Sequence, residues 1–484
     1  MNELTTVFGL LALIFLVSAL TSGLVERAPI SFPMIFLGLG FLLGGDGLGL
    51  VQIDLHDPAL ETIATLNLAF VFFLDAINLR FDIIQKNWRI PVLALGPGTL
   101  ITILLISSAA ALLLRFSALQ AFLTGAVLSS VDPVLLRDVV HDERFPGSIR
   151  ESLKTEAGAN DVIVLPVLLV FAAIALGQSE TSTGWLIFLA QLFILGPFAG
   201  AVVGAGAAYL MRWVRSQMPI SREYRALYGI GVLLAAYYIG TLLGSSGFLA
   251  VFAAGLATSR LDDDLCDCFL EYGEITSEMM MLLAFLLFGV MVSGIISLVA
   301  LPPVLLFTLF VLAVARPVAI GFVLRRALIS RRARLFIGWF GPRGLSSLLF
   351  GLLLVSDGVP GAEQIMSVVG VVVIISVVLH GVSAMPLAVG YSRAAARKTL
   401  PEEREATAGG LYAADPEDVP RITPEALADR LNSPTPPILL DVRSRSTYNL
   451  NDGQIPGSIR VLPDQIAQWA DGQAREREVV TYCT

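Results

Sequence analysis

Cysteine is scarce, with three in 484 residues, charged side chains make up only 15%, and no phosphate loop or dinucleotide fingerprint occurs. Each absence narrows the field. Without a nucleotide motif, ATP-driven work is not expected. With so few charges, a hydrophobic fraction of 55% and a mean hydropathy of +0.77 exceed what a soluble core needs. The first apolar stretch, residues 4–25, follows Glu3 with no basic region and no small-residue cleavage site, so it reads as a retained helix and not a signal peptide.

What is present is a succession of apolar stretches of roughly 20 residues, each long enough to cross about 30 Å of hydrocarbon as helix. About thirteen such spans are predicted: 4–25, 30–45, 58–78, 90–114, 118–137, 151–176, 184–211, 223–243, 246–259, 273–293, 298–324, 334–356 and 364–391. Basic residues collect after the odd-numbered spans, as in Arg80, Lys86 and Arg89, or Arg325, Arg326, Arg331, Arg332 and Arg334. The even-numbered connections hold Arg115 and acids such as Asp54, Asp57 and Asp357. The positive-inside rule then predicts a multi-pass protein of the cytoplasmic membrane, N-terminus outside and C-terminus inside. Cys266 and Cys268 fall in "RLDDDLCDCFLEYGE", a segment assigned to the cytoplasm, where reduced thiols are expected. No further Cys or His completes a metal site there, so an acidic solvated loop is predicted.

Three parts follow from composition: a membrane domain over 1–391, a charged linker over 392–420, and a short α/β unit over 421–484. Within the membrane domain, two spans are broken by polar residues. Span five carries "SSVDPV", with Asp132 and Pro133, and span twelve carries "WFGPRGLSS", with Pro342 and Arg343. A seven-span offset between two broken helices is what an inverted repeat gives, and discontinuous helices point to a transport site. Span six begins "TEAGAND", contributing Glu156, Asn160 and Asp161, and span eleven contributes Arg316. Buried charge in hydrocarbon costs about 2.5–3.5 kcal/mol per group on insertion scales. Three acids against two arginines leave one net negative charge, which invites a proton or a monovalent cation. Glu156 and Asn160 share a helix face, while Asp161 turns about 100° towards another neighbour.

These motifs resemble the NhaP-type bacterial monovalent cation:proton antiporters. "SVDPV" is similar to the family's Asp-Pro motif, "EAGAND" to its Glu-x-x-x-Asn-Asp motif, "ARP" and "GPRG" to its arginine motifs, and "FFLDAINLRF" to its third-helix pattern. The resemblance covers most of residues 1–391. It implies an all-α polytopic fold of thirteen helices with inverted repeats, in which the discontinuous helices carrying Pro133, Pro342 and Arg343 cross. It implies electroneutral exchange of Na⁺ or K⁺ (with Li⁺ as a further substrate) for H⁺ by alternating access, in a homodimer embedded in membrane lipid. Asp161 would carry the exchanging ion, with Asp132 and the carbonyl of Val131 assisting, Asn160 supporting them, and Glu156 paired with Arg316. No cofactor, metal or nucleic acid is implied. Ala157 departs from the family, which often has Ser there, so Ser129, Ser130, Thr155 or water would have to supply an oxygen. A cation channel with a redox-sensing cytoplasmic tail is the competing expectation.

The tail strings "LLDVRS" and "GQIPGSIRV" resemble a rhodanese-like domain, with Asp441 and Arg443 in its Asp-Val-Arg pattern and Cys483 at the catalytic cysteine. The loop that would cradle a persulfide after Cys483 is missing from the sequence as given. A partial rhodanese-like unit without sulfurtransferase activity is therefore expected, the ending being either a truncation or a selenocysteine codon read as a stop. His380, in span thirteen, is expected to be a packing histidine.

Overall fold

A computed structural model describes residues 3–25, 31–79, 89–132, 147–178, 181–295, 299–327, 329–397, 422–433, 436–443, 454–462, 465–471 and 477–482. The chain is mostly helical. In order the membrane-domain helices are α1 (Glu3–Val25), α2 (Phe32–Leu43), α3 (Pro58–Asn78), α4 (Ile90–Leu113), α5 (Ala118–Val127), α6 (Gly147–Ala175) and α7 (Ser182–Gln217). They continue with α8 (Arg222–Leu242), α9 (Gly247–Leu261), α10 (Asp263–Ile295), α11 (Leu301–Val323), α12 (Arg331–Trp339), α13 (Leu345–Ser356) and α14 (Ala362–Arg397). Among the described residues, eight helices are long and apolar enough to cross a membrane, and shorter apolar helices lie at Ala12–Thr21, Phe32–Leu43, Ala118–Val127, Gly247–Leu261 and Leu345–Ser356.

Local chemistry explains many of the boundaries. Ser117 and Gln120 form a reciprocal capping box at the start of α5, and Asp57 caps α3 ahead of Pro58. Helices α4, α7 and α11 each widen by one turn, at Ala94–Gly98, Gln191–Leu195 and Val311–Ala315. Each wide turn contains a proline (Pro97) or ends two residues before one (Pro197, Pro317). Proline offers no N–H and its ring crowds the carbonyl four residues back, so the ladder slips by one residue instead of breaking. The glycine-rich stretch of α7 serves close helix packing. A Cβ at Gly200 would lie 1.9 Å from the Ala250 carbonyl oxygen, and one at Gly204 would lie 2.3 Å from that of Ala254.

One prediction is corrected here. The segment expected as a solvated acidic loop is the first turns of α10, and Cys266 and Cys268 are 6% and 5% exposed. Leu265, Cys266 and Phe269 form an apolar stripe at helical spacing, and Phe269 stacks on Phe70 and meets Phe73 edge to face, both on α3. Asp262 accepts from the Leu265 N–H at 3.2 Å and so starts the helix. Its carboxylate also takes the Arg215 guanidinium at 2.6 Å.

In the tail, β1 (Ile438–Asp441) is the central strand of a parallel sheet, flanked by β2 (Ile459–Arg460) and β3 (Val479–Tyr482). Helices α15 (Pro424–Leu431) and α16 (Ile466–Asp471) accompany it. Ile438, Leu440, Val442 and Val461 form its core with Ile466 and Trp469 against them. The Asp441 carboxylate is buried and accepts from Arg443 Nη2 at 2.6 Å and Arg460 Nη1 at 3.2 Å. Burial pushes this carboxyl up, but the hydrogen bonds from Arg443 outweigh it and hold the group below its ordinary value. Cys483 lies outside the described residues.

Candidate functional site

Helix α5 ends at Val127, and the chain continues without helix through Ser130, Val131 and Asp132. Helix α12 ends at Trp339, and the chain runs without helix through Phe340–Gly344 before α13 begins. These two breaks lie against each other, for the Asp132 N–H donates to the Pro342 carbonyl at 3.0 Å. Proline and two glycines keep the second break open. A Cβ at Gly341 would meet the Arg316 side chain at 2.1 Å, and one at Gly344 would meet Asp132 Oδ2 at 1.8 Å.

The poles of the interrupted helices are matched with opposite charge. Asp132 Oδ2 accepts from the Leu345 N–H at 2.7 Å, so a carboxylate sits at the positive N-terminus of α13. Arg343 Nη1 donates to the carbonyls of Ser129 (3.1 Å) and Ser130 (2.8 Å), just beyond the negative C-terminus of α5. Ser347 Oγ adds a hydrogen bond to the Val127 carbonyl at 3.1 Å. Each break therefore supplies the countercharge of the other's helix end. Pro133 lies outside the described residues.

Helix α6 brings the remaining polar groups to this crossing. Asp161 is 1% exposed, and its Oδ1 accepts from Ser130 Oγ at 2.5 Å. Asn160 Nδ2 donates to the Ser129 carbonyl at 3.0 Å. Asp161 Oδ2 and Asn160 Oδ1 are buried acceptors with no hydrogen-bond partner among the described residues. One turn earlier, Glu156 Oε1 takes Arg316 Nη2 at 2.8 Å, with both side chains almost fully buried. Arg316 Nη2 also reaches the Phe340 carbonyl at 3.3 Å, tying the pair to the second break. Val131 and Ala157 are buried together in a small apolar cluster, so the side chain at 157 brings no oxygen.

Residues 12–390 match the family described as sodium/hydrogen exchanger, transmembrane. The chain belongs to the sodium/hydrogen exchanger family. Residues 423–484 match the rhodanese-like domain. Among similar proteins, the K(+)/H(+) antiporter NhaP of Alkalimonas amylolytica is 27% identical over 392 residues, covering 80% of this chain and 66% of that protein. The K(+)/H(+) antiporter NhaP2 of Shewanella baltica is 26% identical over 390 residues, with 79% and 66% covered. The alignments span just under two thirds of those relatives' length. The sodium proton antiporter MjNhaP1 of Methanocaldococcus jannaschii, solved at pH 8, shares the fold with a TM-score of 0.65 at 21% identity, covering 81% of this chain and 99% of that one.

The chain also carries a candidate residue that sequence reasoning did not promote. Asp75 on α3 is half-buried and faces α6, where a Cβ at Gly158 would lie 3.6 Å from its Oδ1. The string "FFLDAINLRF" held the signal. Of the oxygens weighed as substitutes at position 157, the one that reaches Asp161 among the described residues is that of Ser130. No group of three or more His, Cys, Asp and Glu side chains able to hold a metal ion occurs among the described residues.

Proposed function

We propose that this chain exchanges a monovalent cation, Na⁺ or K⁺, for a proton across the cytoplasmic membrane by alternating access. The observation that carries the reading is the buried Asp161 carboxylate, with one oxygen held by Ser130 and the other without a hydrogen-bond partner among the described residues. A buried acceptor left unpaired costs about 1–3 kcal/mol, more when charged. A proton on Oδ2 lowers that cost by neutralising the carboxylate, and a cation shared with Asn160 Oδ1 lowers it by pairing. The two occupants compete for one carboxylate, which is the minimum an exchanger needs and supports one-for-one, electroneutral exchange. Asp132 assists with its charge, already engaged at the α13 N-terminus, and the Val131 carbonyl is a further candidate ligand. Glu156 and Arg316 serve as the structural pair.

The thirteen spans are supported by the eight long and five shorter apolar helices, which fall on the expected spans, and the outside N-terminus by the distribution of basic residues alone. The inverted repeat is supported by paired features at the same offset: the breaks of spans five and twelve, and the wide turns of α4 and α11. We read residues 1–391 as the exchanger, 392–420 as linker and 421–484 as a cytoplasmic tail to which no sulfurtransferase step is assigned. Assembly as a homodimer in lipid completes the proposal.

The test is transport by the full chain in proteoliposomes, with Na⁺, K⁺ and Li⁺ compared across pH. The wild type is expected to dissipate a pH gradient only with counter-cation present, at a cation KM that falls as pH rises. Asp161→Asn is expected to abolish this. Cation-dependent proton movement in Asp161→Asn would overturn the mechanism.

A further inference from the structure

Ser376 and His380 lie one turn apart on α14 and face the break between α12 and α13. Ser376 Oγ accepts from the Arg343 N–H at 2.7 Å. It also lies 3.2 Å from His380 Nδ1. At the other edge of the ring, His380 Nε2 is 3.1 Å from the carbonyl oxygen of Trp339, the last residue of α12. His380 is 2% exposed and Ser376 is fully buried.

Of the two neutral tautomers, the Nε2–H form keeps the contacts that reach the break, although its Nδ1 lone pair also faces the Ser376 carbonyl at 3.0 Å. The Arg343 N–H donates to Ser376 Oγ, the Ser376 hydroxyl donates to His380 Nδ1, and the Nε2–H donates to the Trp339 carbonyl. The Nδ1–H tautomer would donate to the Ser376 carbonyl within α14 and set the Nε2 lone pair against the Trp339 carbonyl, so it would lose the tie to α12. A doubly protonated ring could donate to the carbonyls of Ser376 (3.0 Å from Nδ1) and Trp339, but it would place a third cation in hydrocarbon beside Arg343 and Arg316. The neutral chain therefore bridges the gap in span twelve, from its last helical carbonyl to the N–H of Arg343. The Arg343 N–H has no acceptor within span twelve, because Pro342 and the open backbone interrupt the ladder, and the Trp339 carbonyl, which also accepts from the Gly341 N–H at 2.8 Å, offers its second lone pair to the ring.

We propose that Ser376 and His380 are positioning residues that tie both ends of the break to α14 and so hold Arg343 against the carbonyls beside Asp161. The inference rests on the exchange reading for its effect on transport, but the brace itself is a structural claim with its own readout. Arg343 grips the Ser130 carbonyl, and the Ser130 hydroxyl grips Asp161. A slack break reaches the carboxylate through those two contacts.

Four variants of the full chain test it: Ser376→Ala and His380→Leu remove the hydrogen bonds, while Ser376→Thr and His380→Gln keep a donor and an acceptor in place. Hydrogen exchange of residues 340–344 in detergent is expected to speed up about tenfold in the first two, as for loss of one buried hydrogen bond, and to stay at the wild-type rate in the second two. In proteoliposomes the first two are expected to show a several-fold higher apparent cation KM with a smaller change in maximal rate per folded protein, and the conservative variants a restored KM. Unchanged exchange in Ser376→Ala and His380→Leu would overturn the brace, as would His380→Gln behaving like His380→Leu. Absence of ion exchange by the wild type would refute the exchange reading, and the hydrogen-exchange comparison would still decide the brace.

Discussion

Breaking the Glu156–Arg316 pair should cost far more than removing it. At 2.8 Å the two charges attract by about 6 kcal/mol at an effective dielectric of about 20. Burial of each ion opposes this by several kcal/mol, so the net worth of the pair is small. The asymmetry appears on mutation. In Glu156→Gln the Arg316 guanidinium stays buried, 5% exposed, with the weaker Phe340 and Ile337 carbonyls as remaining partners. In Arg316→Met the carboxylate stays buried in apolar surroundings. Each single change is expected to cost about 3–5 kcal/mol, the usual loss when one partner of a buried pair is stranded. The double variant Glu156→Gln/Arg316→Met strands no charge, leaving only the introduced amide and the Ile337 and Phe340 carbonyls short of that partner, and is expected to cost less than either single one. A double-mutant cycle by equilibrium unfolding in mixed micelles should then give a coupling energy of at least about 2 kcal/mol. Additive losses, or single variants within about 0.5 kcal/mol of wild type, would refute the reasoning.

Three further outcomes are expected. Gly344→Ala places a methyl group where Asp132 Oδ2 now sits, so the carboxylate must leave the α13 N-terminus; transport should be lost and stability should fall by about 1–3 kcal/mol, whereas wild-type transport would show that the break can shift. Ser130→Ala removes the hydroxyl that holds Asp161 Oδ1, and loss of a hydrogen bond to a charged group predicts a cation KM raised about tenfold or more at neutral pH; an unchanged KM would count against Ser130 as a site residue. In the tail, Asp441 is held below its ordinary value, so its contribution to stability is complete above about pH 4 and disappears as pH falls through the lower folded value. Pepsin should therefore cut the tail of the full chain increasingly as pH drops below about 4, while Asp441→Asn should be susceptible already at that pH; identical pH profiles for the two would contradict this.

Much of the architecture was legible because membrane burial leaves a coarse imprint. A helix in lipid must satisfy its own backbone, so each span shows as a run of apolar residues, and each exception is chemically conspicuous. Asp132, Glu156, Asp161, Arg316 and Arg343 stood out for that reason, as did the Pro342 interruption. The start of α10 was misread because an acidic run around Cys266 and Cys268 looks the same in a loop as on one side of a helix. Its apolar stripe was the overlooked signal. Asp75 was passed over because the depth of a residue near a span's end depends on the helices packed around it.

Sequence by itself determined that the chain is a polytopic membrane protein, that two of its spans are broken, and that its buried charges do not sum to zero. Those properties are local or additive, so no knowledge of neighbours is required. Partnership was decided only in the tertiary structure. Periodicity gives the face on which Glu156, Asp132 or His380 lies, but not the element opposite. That Asp132 caps a helix 213 positions away, or that Ser376 and His380 span the gap between Trp339 and Arg343, follows from how the helices pack. An interrupted helix exposes donors and acceptors that hydrocarbon cannot satisfy, and only the packed neighbours determine which groups will.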